Sequence, residues 1–300
     1  MFVIKHRKIF FTLSAVLVAL SLYGMFAYGF NLGVDFKGGT ITEVSYVGER
    51  PAKTLVEDAI TELNLGGFSL RPSEEDRFII RTKELAQNER DLLVETLRVE
   101  GEGMTLERSN TIGPVAGAEL LSKALKAVVV VILMIVLFIT FAFRKVSKPV
   151  SSWKYGLATI ISLAHDVIIP AGIFVFLGKF YGLEIDLLFI TGLLAILGYS
   201  VHDTIVVFDR VRENLRENNE RGQKEDFELT VGNSVRQTLT RSINTSLTLL
   251  ITLLALYLVG SPATKDFALL LLIGVVFGTY SSVLLASPLL VTFYKLQKGK

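Results

Sequence analysis

Long apolar runs alternate with short polar segments over most of the 300-residue chain. Six of these runs are long enough for a helix to cross about 30 Å of hydrocarbon. Their predicted limits are Ile9–Phe30, Ala124–Phe143, Gly156–Leu177, Leu187–Phe208, Ile243–Gly260 and Phe267–Phe293. The first run is too long for the apolar region of a signal peptide, and no convincing small-residue cleavage site follows it. The pattern predicts a polytopic α-helical membrane protein with an uncleaved first anchor.

The segment between the first two runs, residues 31–123, has a different pattern and predicts a folded domain. In chain order we expect a strand at Thr40–Val47, a helix at Pro51–Leu63, strands at Phe68–Arg71 and Arg77–Thr82 around a turn at residues 72–76, a helix at Glu89–Arg98 and a strand at Met104–Ser109. The order β-α-β-β-α-β is the ferredoxin-like pattern. About 80 residues suffice for only a small two-layer core.

Glycine-rich segments bracket this domain on both sides. Residues 33–40 lead in and residues 112–117 lead out, and their notable members are Asp35, Gly38, Gly39, Gly113 and Pro114. Glycine allows sharp turns and a close approach of two backbones. The Gly38-Gly39 pair follows Lys37, but the spacing is not that of a phosphate-binding P-loop. We therefore predict a hinge or a junction near the membrane rather than a ligand site.

Lysine and arginine orient the spans, because they are concentrated in the loops on one side. They are Lys5, Arg7 and Lys8 before the first span, Arg144, Lys145, Lys148 and Lys154 after the second, Arg210, Arg212, Arg216, Arg221, Lys224, Arg236 and Arg241 after the fourth, and Lys295, Lys298 and Lys300 in the tail. The two short loops on the other side hold one lysine each, Lys179 and Lys265. The positive-inside rule then predicts that both termini are cytoplasmic.

This orientation divides the chain into three predicted parts. Residues 1–30 form the cytoplasmic N-terminus and the first span, and residues 31–123 form an extracytoplasmic domain. Residues 124–300 form a five-helix bundle with a cytoplasmic loop at 209–242. Hydrophobic residues make up 51% of the chain and the mean hydropathy is +0.50, as a membrane protein requires. The net charge of +2 gives no indication of a nucleic-acid partner, and the lack of cysteine excludes disulfides, thiolate catalysis and cysteine-ligated metal.

Three ionisable residues lie inside predicted spans. His165 and Asp166 fall near the middle of the third span, and Asp203 falls in the inner half of the fourth. A charged group in hydrocarbon costs roughly 2.5–3.5 kcal/mol on insertion scales, so such residues usually face protein or water and mark ion pathways. The set favours carriage of protons or gating. A static ion pair that supports assembly is the alternative.

A polar stripe marks one face of the fifth predicted span. Its members, at spacings of 3, 4, 3 and 4, are Thr238, Arg241, Thr245, Thr248 and Thr252. At about 1.5 Å of rise per residue, Asp203 and Arg241 lie roughly 10 Å apart in depth, a gap that a long arginine side chain can close. An ion pair would keep Asp203 ionised, whereas an apolar crevice would let it bind a proton. The threonines alone are also consistent with helix packing.

Three segments carry a family resemblance that extends over nearly the whole chain. Residues 33–40 (GVDFKGGT), 198–210 (GYSVHDTIVVFDR) and 241–246 (RSINTS) closely resemble the SecF family of the bacterial protein-export machinery. The His165-Asp166 pair and the six-span layout also match that family. One departure is His202, at a position that is commonly asparagine in the family.

The resemblance implies one half of an RND-type transporter, with SecD supplying the other six spans. That pair assists the SecYEG channel, the SecA motor and accessory subunits, and it uses the proton-motive force to complete the translocation of polypeptides. The family's intramembrane aspartate falls on Asp203 and its functional arginine falls on Arg241, with Arg236 a weaker candidate. The family acts without a cofactor or a metal and is not enzymatic. Its place is the bacterial inner membrane, with lipid around the spans and the external domain holding the emerging polypeptide.

Rival classes of function make different demands on the same residues. An intramembrane aspartyl protease would use Asp166 and Asp203, but the Gly-X-Gly-Asp motif of such enzymes is absent from the sequence. A non-conducting structural scaffold would export normally after the substitution Asp203→Asn. Another RND-type half-transporter would share the six spans but not the export partners.

Overall fold

The computed structural model describes residues 2–73, 75–99, 103–144, 150–222 and 225–298. Some residues used above for a turn and for orientation lie outside these ranges, namely Glu74, Lys145, Lys148, Lys224 and Lys300. The helices are α1 Phe2–Lys5, α2 Arg7–Tyr28, α3 Val34–Lys37, α4 Lys53–Glu62, α5 Gln87–Val99, α6 Pro114–Ala142, α7 Ser152–Tyr181, α8 Leu187–Glu220, α9 Phe227–Val259, α10 Pro262–Tyr280 and α11 Ser287–Lys298. A π-helical turn, Ser281–Ala286, joins α10 to α11. The strands are β1 Gly39–Ser45, β2 Phe68–Ser73, β3 Arg77–Thr82 and β4 Thr105–Ile112.

In the described residues, six helical segments are long and apolar enough to cross a membrane, as the sequence predicted. They are α2, α6, α7, α8, α9 and the continuous segment Thr264–Gln297. The largest extensions beyond the predicted limits are in three helices: α6 begins at Pro114, α8 runs on to Glu220, and α9 begins at Phe227. The segment 209–242, predicted as a loop, is therefore mostly helical. Hydropathy marks only the apolar part of a helix, and polar contacts between helices hold the rest.

One such contact ties the polar extensions of α8 and α9 together. Asn214 Nδ2 donates to Ser234 Oγ at 2.8 Å and to Gln237 Oε1 at 2.9 Å. Buried side-chain amides that find two acceptors can support helix pairing well beyond the apolar stretch.

The chain divides into two compact units. The helical unit comprises Met1–Asn31, Lys126–Leu183 and Leu188–Lys300. Its core contains an aromatic cluster in which the rings of Phe143 and Tyr155 stack at 5.4 Å and that of Phe208 lies edge-on to Tyr155 at 5.3 Å. Helices α2 and α7 lie so close together that a Cβ atom on Gly172 would overlap Ser21. Glycine at this position permits the approach.

The second unit comprises Leu32–Leu125 together with Glu184–Leu187 from the α7–α8 loop. Its sheet has the order β2-β3-β1-β4 and every neighbouring pair is antiparallel. Apolar side chains from α4 and α5 and from the sheet form its core: Val44, Val56, Ile60, Phe78, Ile80, Leu93 and Leu97. This arrangement is the predicted ferredoxin-like fold. The four residues from beyond residue 125 were not predicted to belong to it.

Candidate functional site

Asp166 is completely enclosed and hydrogen-bonded through both carboxyl oxygens. Helix α7 places it beside His165, whose Nδ1 lies 2.9 Å from Asp166 Oδ1. Asp166 Oδ2 accepts hydrogen bonds from Ser281 Oγ at 2.7 Å and from Ser200 Oγ. The exposed fraction is 0% for Asp166 and 2% for His165. Donors from α7, α8 and the π-helical turn thus converge on one carboxyl group.

The His165 ring also packs against α10. The ring stacks on Tyr280 with the centroids 5.6 Å apart and the planes 11° apart. Tyr280 donates its hydroxyl hydrogen to the backbone oxygen of Phe10 at 2.9 Å, which ties α10 to α2. His165 Nε2 is buried and has no hydrogen-bond partner in the part of the chain that the structure describes.

The π-helical turn supplies two of the hydroxyl groups at this site. Besides the bond from Ser281 to Asp166, Ser282 Oγ donates to the backbone oxygen of Ser200 at 3.2 Å. Ser282 Oγ also lies 2.8 Å from Thr204 Oγ1. Short π-helical turns inside α-helices are frequent at functional sites. Here the wide turn of the sixth span is fixed to α7 and α8 through serine side chains.

Asp203 lies on α8 and is only half satisfied. Its Oδ1 accepts a hydrogen bond from Ser242 Oγ of α9 at 2.6 Å. Its Oδ2 is buried and has no partner among the described residues, and 6% of the residue is exposed. Next to this pair, Ser246 Oγ lies 2.6 Å from both Tyr199 Oη and Thr279 Oγ1. The hydroxyl cluster joins α8, α9 and α10 around the carboxyl group.

The expected ion pair between Asp203 and Arg241 is not formed in this structure. Arg241 is exposed and takes part in no ion pair within the described ranges. Arg236 and His202 are also exposed. The reason is the orientation of α9: a shift of one residue turns a helix by about 100°, so Ser242 rather than Arg241 faces α8.

Most of the predicted polar stripe of α9 lies on a face that this chain leaves exposed. Thr238 is buried, but Thr245, Thr248 and Thr252 are exposed. The buried face carries Thr238, Ser242 and Ser246 at spacings of four residues. Sequence reasoning missed Ser242, Ser246, Ser200 and Ser281. Their regular spacing on α9 was a usable signal for two of them, because small hydroxylated residues often line contacts between membrane helices.

The two intramembrane aspartates occupy separate sites. No hydrogen bond joins Asp166 to Asp203 among the described residues, and each has its own donors. Aspartyl proteases use two carboxyl groups that share one proton, and no bond of that kind joins these two aspartates in the described ranges. Within the same ranges, no group of three or more histidine, aspartate and glutamate side chains is placed to hold a metal ion.

The predicted junction residues lie together in the second unit. Gly38 has a φ of 79°, and a Cβ atom there would come within 2.7 Å of Cα of Pro114. Gly39 has a φ of 138° and lies against the backbone oxygen of Thr82. Only glycine combines these backbone angles with such close contacts. The segments that lead into and out of the domain therefore touch, with Gly113 directly before Pro114.

Asp35 and Glu184 fasten the α7–α8 loop to this junction and to the sheet. Asp35 Oδ2 accepts the backbone N–H of Leu187 at 2.9 Å. Glu184 Oε2 lies 3.1 Å from Arg81 Nε, and Oε1 lies 3.7 Å from Arg71 Nη2. Burial raises the pKa of Glu184, and the positive charges of Arg81 and Arg71 oppose that rise.

Comparison with known proteins identifies the family. The family described as "Protein export membrane protein SecD/SecF, C-terminal" matches residues 94–296, and the "SecD/SecF GG Motif" matches residues 23–47. Protein translocase subunit SecF of Thermobaculum terrenum is 38% identical over 97% of this chain and 93% of its own length. The chain belongs to the SecF family. The SecF of Sebaldella termitidis is 36% identical over 98% of this chain and 92% of its own length.

Two solved structures of SecDF are similar to this SecF-family chain. "Crystal structure of SecDF, a translocon-associated membrane protein", from Thermus thermophilus, has a TM-score of 0.83 at 33% identity, covering 99% of this chain and 38% of that chain. SecDF in "Super-membrane-facing form" has a TM-score of 0.66 at 32% identity, with the same coverage of 99% and 38%. The chain is thus a multi-pass membrane protein related to translocase subunits, and it spans little more than a third of the SecDF chains.

Proposed function

We propose that this SecF-family chain couples the proton-motive force to the Sec protein-export translocase, acting with SecD to complete the translocation of polypeptides. The observation that carries the proposal is Asp203, an enclosed carboxyl group with one oxygen bonded and the other without a partner among the described residues. A static structural carboxyl in a membrane helix gains by being fully satisfied, as Asp166 is. A free oxygen on a buried carboxyl is a place to load a proton.

Helix α9 offers two alternative partners for that carboxyl group. Ser242, which contacts Asp203 here, is a neutral donor that stabilises an ionised carboxyl less than a cation would. Arg241, the neighbouring residue, would hold it ionised. A rotation of α9 by about 100° exchanges one for the other, so loading and release of a proton would drive helix movement. Each proton that crosses the membrane supplies about 2.3 kcal/mol per 100 mV. His165 and Asp166 form the second part of the proposed relay.

The movement would reach the external domain through the junction at Gly38, Gly39, Gly113 and Pro114. The close backbone contacts there would couple the two segments, because glycine leaves no side chain between them. Asp35 extends the same junction to the start of α8 through the backbone N–H of Leu187. The domain would in turn hold the emerging polypeptide as SecYEG, SecA and the accessory subunits deliver it.

The need for SecD follows from what the helical unit leaves uncovered. Arg241 and most of the polar stripe of α9 are exposed. In the apolar stretches of α9 and α6, only 17% and 11% of the residues are buried within this chain. An arginine facing lipid is costly, so a second half is required to cover this face. This chain matches only 38% of the length of the SecDF chain, which supports SecD as the other half. The rest of the apolar surface would contact membrane lipid.

The lysine and arginine distribution supports a location in the bacterial inner membrane with both termini cytoplasmic. Contacts at one end of the helical unit agree with it. Arg7 at the start of α2 pairs with Glu228 at the start of α9 at 2.9 Å, and Lys295 near the end of α11 pairs with the same carboxylate. The N-terminal and C-terminal helices thus end on the same side as α9 begins.

The test is proton-dependent export in inverted vesicles that contain SecD, SecYEG and this chain. We expect Asp203→Asn to insert and assemble but to lose the stimulation of export by the proton-motive force. Asp209→Asn is the matched control, because Asp209 lies on the same helix, is half exposed and pairs with Arg212. If Asp203→Asn accumulates normally and supports proton-dependent export at the parental rate, Asp203 is not the carrier and a scaffold role is the better account.

A further inference from the structure

A cavity of about 420 Å³ lies where α1 meets the first turns of α2 and α9. Its lining is basic and has a single carboxylate: Lys5, His6, Arg7, Lys8, Ile9 and Glu228. Its volume lies in the range of small-molecule sites, roughly 300–1,000 Å³. Proton coupling and polypeptide export make no use of this cavity.

The charges at the cavity do not balance. Glu228 already contacts two cations, Arg7 at 2.9 Å and Lys295 on α11. Lys5 and Lys8 are exposed and form no ion pair with any residue that the structure describes. The cavity therefore combines several positive charges with one shared carboxylate, and it attracts an anion. Arg7 adds positive charge at the cavity, although its Nη1 already contacts Glu228 and, at 3.1 Å, the backbone oxygen of Ile4.

Exposed apolar side chains flank the same cavity. Phe2 is 69% exposed and Ile9 is 63% exposed, although Ile9 lies in the cavity wall. The ring of Phe2 also packs on that of His6 at 4.5 Å, which places an apolar surface beside the cations. The first span begins here, so these side chains lie at the level where lipid headgroups give way to acyl chains. A free inorganic anion would leave this apolar surface uncovered, whereas the acyl chains of a lipid would bury it.

We propose that this cavity binds the phosphate group of an anionic glycerophospholipid. Lys5, Arg7 and Lys8 hold the phosphate, and the acyl chains run along Phe2 and Ile9. Basic pockets at the ends of membrane helices are suited to such headgroups, and each lysine or arginine near an anionic surface contributes about 1 kcal/mol. The bound lipid lies against the point where α2, α9 and α11 are tied by Glu228. The proposal does not depend on the proton-carrying role of Asp203.

Lipid retention by the full chain, purified with its partner half, tests the proposal. The complex is exchanged into mixed phosphatidylglycerol and phosphatidylcholine vesicles, extracted gently, and its bound lipids are counted by native mass spectrometry. The double variant Lys5→Gln/Lys8→Gln is compared with Lys123→Gln/Lys126→Gln, which removes the same charge from exposed lysines of α6. We expect parental and control proteins to retain phosphatidylglycerol selectively. The first double variant should bind it roughly ten- to thirtyfold more weakly.

Inorganic phosphate, titrated against the parental protein in phosphatidylcholine vesicles, separates a lipid from a free anion. Saturable phosphate binding that needs Lys5 and Lys8, without selectivity for phosphatidylglycerol, would overturn the lipid assignment. Equal retention of phosphatidylglycerol by both double variants would overturn the site itself. Because Lys5 and Lys8 are exposed, both variants are expected to fold, and circular dichroism before lipid exchange checks this.

Discussion

Asp166 and Asp203 lie on neighbouring membrane helices and are almost equally enclosed, with exposed fractions of 0% and 6%. Their hydrogen bonds differ. Asp166 meets His165, Ser200 and Ser281, whereas Asp203 meets Ser242 on one oxygen and, among the described residues, nothing on the other. Burial alone therefore does not distinguish a fixed carboxyl from one that can change its state. The number of donors around each oxygen does.

The largest expected effect is the loss of stability on removing the Asp166 carboxyl. Asp166→Ala leaves His165 and Ser200 without their acceptor in an enclosed site and Ser281 with only the backbone oxygen of Gly278, and each unsatisfied group costs about 1–3 kcal/mol. We expect a loss of about 3 kcal/mol or more in the free energy of unfolding. Asp203→Ala should cost about 1 kcal/mol, since it leaves only Ser242. Thermal unfolding in detergent measures both losses. Equal losses would show that the different hydrogen bonding of Asp166 and Asp203 does not affect stability.

A smaller effect is expected from removing the donor to Asp203. Ser242→Ala should lower the free energy of unfolding by about 1 kcal/mol, the usual net value of one buried hydrogen bond. Thr248→Ala is the matched control on the same helix, because Thr248 is exposed and donates only to the backbone oxygen of Asn244. It should change stability by less than about 0.5 kcal/mol. If the two variants behave alike, the contact of Ser242 with Asp203 does not support the fold.

The smallest expected effect is the coupling between Asp203 and Arg241 in the stability of the protein. Since Arg241 is exposed and does not pair with Asp203 here, Asp203→Asn and Arg241→Gln should be additive in stability within about 0.5 kcal/mol. In proton-dependent export, however, the double variant should be hardly worse than either single variant, because both residues act in one switch. A strong coupling in stability would show that the ion pair already exists in the resting protein. Additive losses in export would separate the two residues functionally.

The six spans and the β-α-β-β-α-β order could be predicted because both depend on the period of apolar residues along the chain. Helix ends could not, since contacts distant in sequence decide them. The polar end of α8 is held partly by Asn214 on Ser234, twenty residues away. Pro114 begins α6 with a polar first part that carries no hydropathy signal.

The site was predictable only in part for a related reason. Ionisable residues within apolar runs can be recognised in the sequence, so His165, Asp166 and Asp203 could be predicted. Periodicity on α9 predicts that polar residues share a face, but it does not say which of two adjacent faces is buried. Arg241 and Ser242 differ by one position, and only the packing of α8 against α9 selects Ser242.

The contacts of residues Glu184–Leu187 determine when, during synthesis, the ferredoxin-like unit can be completed. The strands and helices between residues 39 and 112 leave the ribosome before α6, α7 and α8, and chains fold from the N-terminal side as they emerge. Yet the backbone N–H of Gly33 bonds to Ile185, and Arg71 and Arg81 pair with Glu184. These partners are made only after α6 and α7. A nascent chain halted before residue 184 would thus carry a complete sheet in which Arg71 and Arg81 lack Glu184, and these contacts form only after the α7–α8 loop has been made.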